Sequence, residues 1–310
     1  MDLFNIFIGQ YSFLEIKLNP SRWLMKRIAF ILLVFLQICF LSVTGIEQVC
    51  AQTGPSKLIQ EFNKPNRTIE YHYLLVSEGI TEATLKDFIK KTIAPHLKDM
   101  FEVGDVSKPK WGIYIDSPDR VLDKSYLILR VRSGQITVKS RGKSPDALID
   151  LYDTGKKKYE IDYFGSPEYS ISVDVRFTKE QFNVDKGFTT EELLNFMEKA
   201  SPPLMDQLRP YLTNRSALVI PGKAIMYDID IKILPTHQMA SKLKEVGLTA
   251  WFFPPTSKSL MELSFVAEVQ DKKAVDGFYN ELKDHLRKVD LLHPIQKSKT
   301  ELFFEAYFGK

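Results

Sequence analysis

The stretch Trp111–Arg141, WGIYIDSPDRVLDKSYLILRVRSGQITVKSR, decides how the rest of the chain is read. It offers a short strand, an Asp116-Ser117-Pro118-Asp119 turn and two further strands. Side chains alternate between the two faces of a strand with period two. In the first arm Ile128, Arg130 and Arg132 therefore point one way, and Leu127, Leu129 and Val131 the other. In the second arm Thr137, Lys139 and Arg141 share a face opposite Ile136 and Val138. Ser133-Gly134 between the arms suits a tight hairpin turn. The hairpin is thus apolar on one side and densely cationic on the other.

The same alternation recurs outward from it. Ile69–Val76, Lys158–Tyr163, Glu168–Phe177, Ala224–Leu234 and Leu260–Val269 each read as strands with one polar and one apolar face. Alternation rather than continuous apolar runs favours antiparallel pairing. Helical spacing appears after a Thr81 cap (Leu85, Phe88, Ile89, Ile93), in Thr189–Ala200 behind a Thr189/Glu192 capping box, and along Lys272–Val289. A short helix is expected over Gln238–Val246, stopped by Gly247, and a terminal strand over Glu301–Phe308. Trp251–Pro255 reads as an apolar loop or edge strand.

Composition is that of an ordinary globular protein: 310 residues, 44% hydrophobic, formal charge +3. Such a charge does not suggest nucleic-acid binding. From Met25 the chain reads MKRIAFILLVFLQICFLSVTGIEQVCAQ, two positive charges followed by an apolar run and then small residues. That is the layout of a secretory leader over 25–51, with 1–24 upstream of the true start and a single domain over 52–310. Cleavage near Ala51 would leave an exported, periplasmic or secreted protein. An uncleaved anchor is the alternative, since the run approaches the minimum of about 17 residues for a span, and it would be the only membrane contact. Both cysteines, Cys39 and Cys50, fall in the leader, so disulfides, thiolate metal sites and a Cys nucleophile are excluded from the mature chain.

The polar strand faces admit two readings. They could simply meet water, as in any half-exposed antiparallel sheet. Yet the charges are segregated by strand: Arg130, Arg132, Lys139 and Arg141 are basic, while Glu160 with Asp162 and Asp228 with Asp230 pair acids two apart. Like charges on neighbouring strands repel. They are reconciled if a polyanion compensates the bases and a divalent cation the acids.

Tyr114-x-Asp116-Ser117-Pro118-Asp119, Leu122, Leu129-Arg130-Val131-Arg132 and Thr137-Val138-Lys139 resemble the core signature of the CYTH superfamily, the triphosphate tunnel metalloenzymes. The resemblance implies an α+β fold: an antiparallel barrel or tunnel of about eight strands with helices packed outside. It further implies a charged interior binding a small anionic ligand, a tri- or polyphosphate, with Mg2+ or Mn2+. Arg130, Arg132, Lys139, Arg141, Lys158 and Arg215 would hold phosphate. Glu70, Glu160, Asp162, Asp228, Asp230 and Glu268 would hold metal. Family enzymes open with Glu-x-Glu-x-Lys, whereas this chain reads Glu70-Tyr71-His72-Tyr73-Leu74, and Gln270 stands where a second acid follows Glu268. No P-loop, G-x-G-x-x-G, G-x-S-x-G or H-E-x-x-H motif is present. Two functions stay open: a metal-dependent phosphohydrolase, or a binding or interaction module without catalysis.

Overall fold

The computed structural model describes residues 57–309, apart from 133, 153–156, 215–216, 255 and the side chain of 185. The leader expected over 25–51 and the phosphate ligand expected at Arg215 lie outside the described residues. No helix among those described is long and apolar enough to cross a membrane.

Ten strands form one sheet: β1 (Thr68–Leu75), β2 (Phe101–Val106), β3 (Lys110–Ile115), β4 (Leu127–Arg132), β5 (Gln135–Gly142), β6 (Lys158–Tyr163), β7 (Pro167–Arg176), β8 (Ala224–Ile233), β9 (Leu243–Phe252) and β10 (Ser259–Glu268). Nine of them close into a barrel in the order β8-β3-β4-β5-β7-β6-β1-β10-β9, with β9 returning to β8 through Ile225↔Phe252 to Ile229↔Leu248. β2 lies beyond β3 on the same edge of β8. Every pairing is antiparallel except β1 with β6. The expected tunnel with helices outside is therefore present, with one more strand than anticipated and a single parallel contact.

The barrel inverts the usual burial pattern of a half-exposed sheet. Its outward faces are apolar and lie beneath helices. Tyr71 and Tyr73 of β1 are fully buried against α6 (Lys272–Lys288). Tyr73 stacks on Tyr279 with centroids 4.7 Å apart and donates its hydroxyl to the Tyr279 carbonyl at 2.7 Å. Leu129, Val131, Ile136, Val138, Ile171 and Val173 join the same buried cluster as Leu193, Leu194 and Met197 of α4 (Thr190–Ala200) and Leu204 and Met205 of α5 (Pro202–Leu208). Burial of each such side chain contributes roughly 1.5–3 kcal/mol. With the outer face committed to this core, the opposite parity must line the lumen.

The Trp111–Arg141 unit folds as its alternation requires. Arg130 lies opposite Thr137, Ile128 opposite Lys139 and Arg132 opposite Gln135, leaving two residues in the turn, where Gly134 takes φ +76°. The Asp-Ser-Pro-Asp turn is a structural knot. Buried Asp116 accepts from the backbone N–H groups of Ser117 (2.7 Å), Leu122 (2.9 Å) and Asp123 (2.9 Å). These bonds wrap the chain into the single-turn helix α3 (Val121–Lys124) and fix Asp123 beside Arg141. The remaining helices are α1 (Lys57–Phe62) and α2, a run of Leu85–Phe88, a π turn over Ile89–Ile93 and Ala94–Leu97.

Two local expectations are corrected. Gln238–Val246 is not a helix: residues from Leu243 belong to β9, and Gly247 is a mid-strand residue. An added Cβ there would lie 3.0 Å from Ser264 Oγ, so the glycine serves close strand approach rather than helix termination. The terminal segment is not a strand but α7 (Lys299–Tyr307), opened by a capping box of Ser298 and Glu301. Phe303 and Phe304 are buried among Leu74, Ile128, Met226, Trp251 and Leu260, which share the inward parity of their strands. α7 thus occupies the lumen and fills one end of it.

Candidate functional site

The inward residues of β4 and β5 face those of β1 and β6 across a cavity of about 280 Å³, which the first turn of α7 also borders. Parity delivers them: Arg130 and Arg132 from β4, Thr137, Lys139 and Arg141 from β5, Glu70 and His72 from β1, and Glu160 and Asp162 from β6. Seven expected phosphate or metal ligands (Arg130, Arg132, Lys139, Arg141, Glu70, Glu160 and Asp162) are therefore brought together with His72, Lys299 and Glu168.

On the basic wall, partners divide the cations. Lys139 donates to Glu160 at 3.0 Å and to Asp162 at 3.2 Å. Burial works to lower its pKa, but these two carboxylates outweigh burial and raise it. Arg141 donates to Ser298 Oγ at 2.9 Å and Asp123 at 3.1 Å, with Glu168 at 3.8 Å, so it ties β5 to the cap of α7. Arg130 and Arg132 differ: neither forms an ion pair among the described residues. Arg130 lies over the Tyr114 ring at 5.9 Å, and its buried Nε has no hydrogen-bond partner. Burial and then the adjacent Arg130 charge press Arg132 below the ordinary guanidinium range. Two half-buried guanidinium groups thus repel each other across the lumen wall, and the carboxylates acting on Arg132, Asp174 and Glu160, do not reach it as ion pairs.

The acidic wall is the opposite case. His72 is 3% exposed, with Nε2 3.4 Å from Asp162 Oδ1 and 3.9 Å from Glu70 Oε2, and Nδ1 3.4 Å from Glu262 Oε1. Its ring stacks on Phe164 with centroids 4.4 Å apart. Burial disfavours the imidazolium, but Glu262 and Glu70 override it and push the pKa up to about 10. Asp162 is driven well below the carboxylate range: burial opposes this, while Lys139 and His72 outweigh burial. Glu262, 2% exposed, accepts from Lys299 at 2.6 Å and is held at about 2 against its desolvation by Lys299 and His72. One oxygen each of Glu70 and Asp162 and a ring nitrogen of His72 lie within 4.8 Å of one another, close enough that they could share a cation once His72 is deprotonated.

The other sequence candidates lie elsewhere. Lys158 sits at the rim and donates to Asp174 at 2.7 Å. Asp228 and Asp230 border a second cavity, of about 620 Å³, which is also lined by Glu262 and shares Glu70 and Lys299 with the first. Asp228 is paired with Lys110, and Asp230 is 3.7 Å from Lys232. Glu268, paired with Lys244, borders neither cavity. Sequence reasoning missed Glu262, Lys299 and the role of His72. Glu262 was visible on the polar parity of β10, and Lys299 follows a capping-box pattern, Ser298-x-x-Glu301, that marks a helix start.

No family model matches the sequence, and no curated protein does. Among solved structures, the chain is similar to a Hippeastrum protein named as an adenylyl cyclase with a dominant triphosphatase activity: 11% identity, 76% of this chain and 94% of that one, TM-score 0.44. It is also similar to a Bacillus halodurans protein named as an adenylate cyclase, at 15% identity, 77% and 98% coverage and TM-score 0.40. A Pyrococcus horikoshii protein is similar at 16% identity, 77% and 98% coverage and TM-score 0.37. At these values the likeness says nothing about ligand or activity.

Proposed function

We propose that the lumen binds a linear oligophosphate, with Arg130 and Arg132 gripping its non-bridging oxygens. The carrying observation is that these two guanidinium groups face the cavity and form no ion pair among the described residues, while Lys139 and Arg141 beside them are paired. A planar guanidinium bonds phosphate oxygens bidentately, and each charge-assisted bond contributes about 1.5–3 kcal/mol. Thr137 is engaged by Asp174 at 2.6 Å and stays out of the set.

Hydrolysis is the second reading, favoured by the donor cluster on the facing wall. Glu70, His72 and Asp162 fit a divalent cation, since their donor atoms converge within 4.8 Å. A cation bound there would neutralise phosphate charge and lower the pKa of a bound water. Arg130 and Arg132 would hold the substrate against it, and Lys139 would keep Asp162 ionised and oriented. The leader-like composition of 25–51 is the support for proposing export of a mature chain, so an oligophosphate outside the cytoplasm is the ligand class to test.

The test is thermal unfolding of the mature protein with tripolyphosphate, in parallel with phosphate release in Mg2+ or Mn2+. Stabilisation that vanishes in Arg130→Ala/Arg132→Ala supports binding, and phosphate release supports hydrolysis. Stabilisation without release leaves a binding module. Absence of both, or stabilisation indifferent to the double variant, overturns the proposal.

A further inference from the structure

We infer that Glu70, His72 and Asp162 form a mixed oxygen–nitrogen site that takes a first-row transition cation in preference to Mg2+, with Glu262 as the positioning carboxylate behind His72. This names the cation class for the cluster used in the hydrolytic reading, but its geometry stands on residues other than Arg130 and Arg132.

Distances come first. His72 Nε2 lies 3.4 Å from Asp162 Oδ1 and 3.9 Å from Glu70 Oε2. Ligands about 2.0–2.2 Å from one ion are separated by roughly 3–4 Å, so the three atoms can close on a shared centre with small side-chain adjustments. Asp162 keeps Oδ1 for that purpose, because its other oxygen is taken by Lys139 at 3.2 Å.

The nitrogen is held ready by what surrounds it. Phe164 stacks on the imidazole at an interplanar angle of 10°, which fixes the ring plane. Nδ1 points away from the cluster toward Glu262 Oε1 at 3.4 Å. Both His72 and Glu262 are almost wholly buried, and His72 Nδ1 and Glu262 Oε2 are buried polar atoms without a hydrogen-bond partner. An unsatisfied buried nitrogen on that side leaves the contact with Glu262 room to tighten. A metal-ligating imidazole typically donates its second N–H to a carboxylate, which fixes the tautomer and strengthens the donor nitrogen. A cation arriving at Nε2 would displace the proton held there, leaving Nδ1–H directed at Glu262, 3.4 Å away in the metal-free chain.

Donor chemistry then sets the preference. Mg2+ is a hard ion that demands oxygen ligands and near-octahedral geometry. Imidazole nitrogen suits the later first-row cations, whose affinity for nitrogen–oxygen sites rises along the series toward copper. A histidine in place of a carboxylate therefore shifts the site away from Mg2+ rather than abolishing it.

The test uses metal alone on untagged, metal-stripped mature protein. Co2+ and Mg2+ are titrated by calorimetry, and Co2+ is followed by its visible absorption, whose intensity reports nitrogen ligation. Expected for the wild type is one Co2+ per chain, bound at least about tenfold more tightly than Mg2+. His72→Gln should lose the Co2+ bands, His72→Glu should lose them while gaining Mg2+ affinity, and Glu262→Gln should keep them with affinity reduced about 10–100-fold. Unligated thermal unfolding of each variant shows whether it is folded, and Glu262→Gln reports on the site even where a His72 variant is not. Equal affinities for the two ions, bands that persist in folded His72→Gln, or no Co2+ binding at all (an ion-pair cluster only) would each overturn the inference. Tripolyphosphate stabilisation of the same metal-free samples is read alongside. Its loss with Co2+ binding intact overturns the oligophosphate proposal alone, and the converse overturns this inference alone.

Discussion

The two walls of the lumen carry comparable densities of charge and treat them in contrary ways. On the acidic wall, Glu262 faces His72 and Lys299, and Asp162 faces His72 and Lys139, so every buried carboxylate has cations from the same chain. On the basic wall, Arg130 and Arg132 confront each other and form no ion pair among the described residues, with Asp174 and Glu160 acting on Arg132 only at longer range. Paired charges in a low-dielectric interior are part of the architecture, and removing one partner strands the other. Unpaired charges cost stability and are retained for something that arrives from outside. Charge count alone does not separate these roles; partner lists do.

The sharpest way to break this contrast is Arg130→Ala/Arg132→Ala. It should weaken tripolyphosphate binding by more than about 100-fold, from the loss of at least two charge-assisted bonds. Its unligated melting temperature should hold or rise, because a repulsion is relieved. Isothermal calorimetry and a thermal scan read both halves. Lys299→Met attacks the other wall. It leaves Glu262 facing His72 alone and should lower stability by about 3 kcal/mol in urea unfolding, the low end for a broken buried pair. Ser298→Ala removes the α7 cap and a partner of Arg141, and should cost about 1 kcal/mol by the same measurement. The smallest effect concerns Glu301. Burial raises its pKa, but the Ser298 N–H and hydroxyl outweigh burial and hold it below the carboxylate range. A depressed carboxyl contributes stability above its unfolded pKa and loses it as pH falls through the folded value. Glu301→Gln should therefore cost less than about 1 kcal/mol at neutral pH and flatten part of the acid loss, as seen in melting temperatures between about pH 7 and about pH 3.

What the sequence disclosed follows from how local each feature is. The β4–β5 hairpin was legible because period-two alternation and a two-residue turn settle register and facing within a dozen or so neighbouring residues. Its cationic face, however, was ambiguous between solvent and lumen until β8–β9 pairing closed the sheet. α7 was misread because a short run such as Leu302-Phe303-Phe304 has no decisive period, and the capping box ahead of it was the only discriminating signal. β9 was misread because Gly247 stops helices more often than it permits close strand contact. Glu70 and Asp162 were named through the family resemblance, but their meeting with His72, Glu262 and Lys299 was hidden for a different reason: the members come from three strands and one helix, and no spacing in the chain encodes that meeting.

The parallel pairing of β1 with β6 carries a consequence for the order of assembly. The basic hairpin needs only its own turn to form, whereas His72 must find Asp162 ninety residues away and Glu262 farther still. Contacts of such separation are bought with loop-closure entropy and arrive late in folding. The guanidinium arm is therefore expected to form before the wall facing it. A cation captured by the finished cluster recognises only the native chain, and its binding adds directly to native stability.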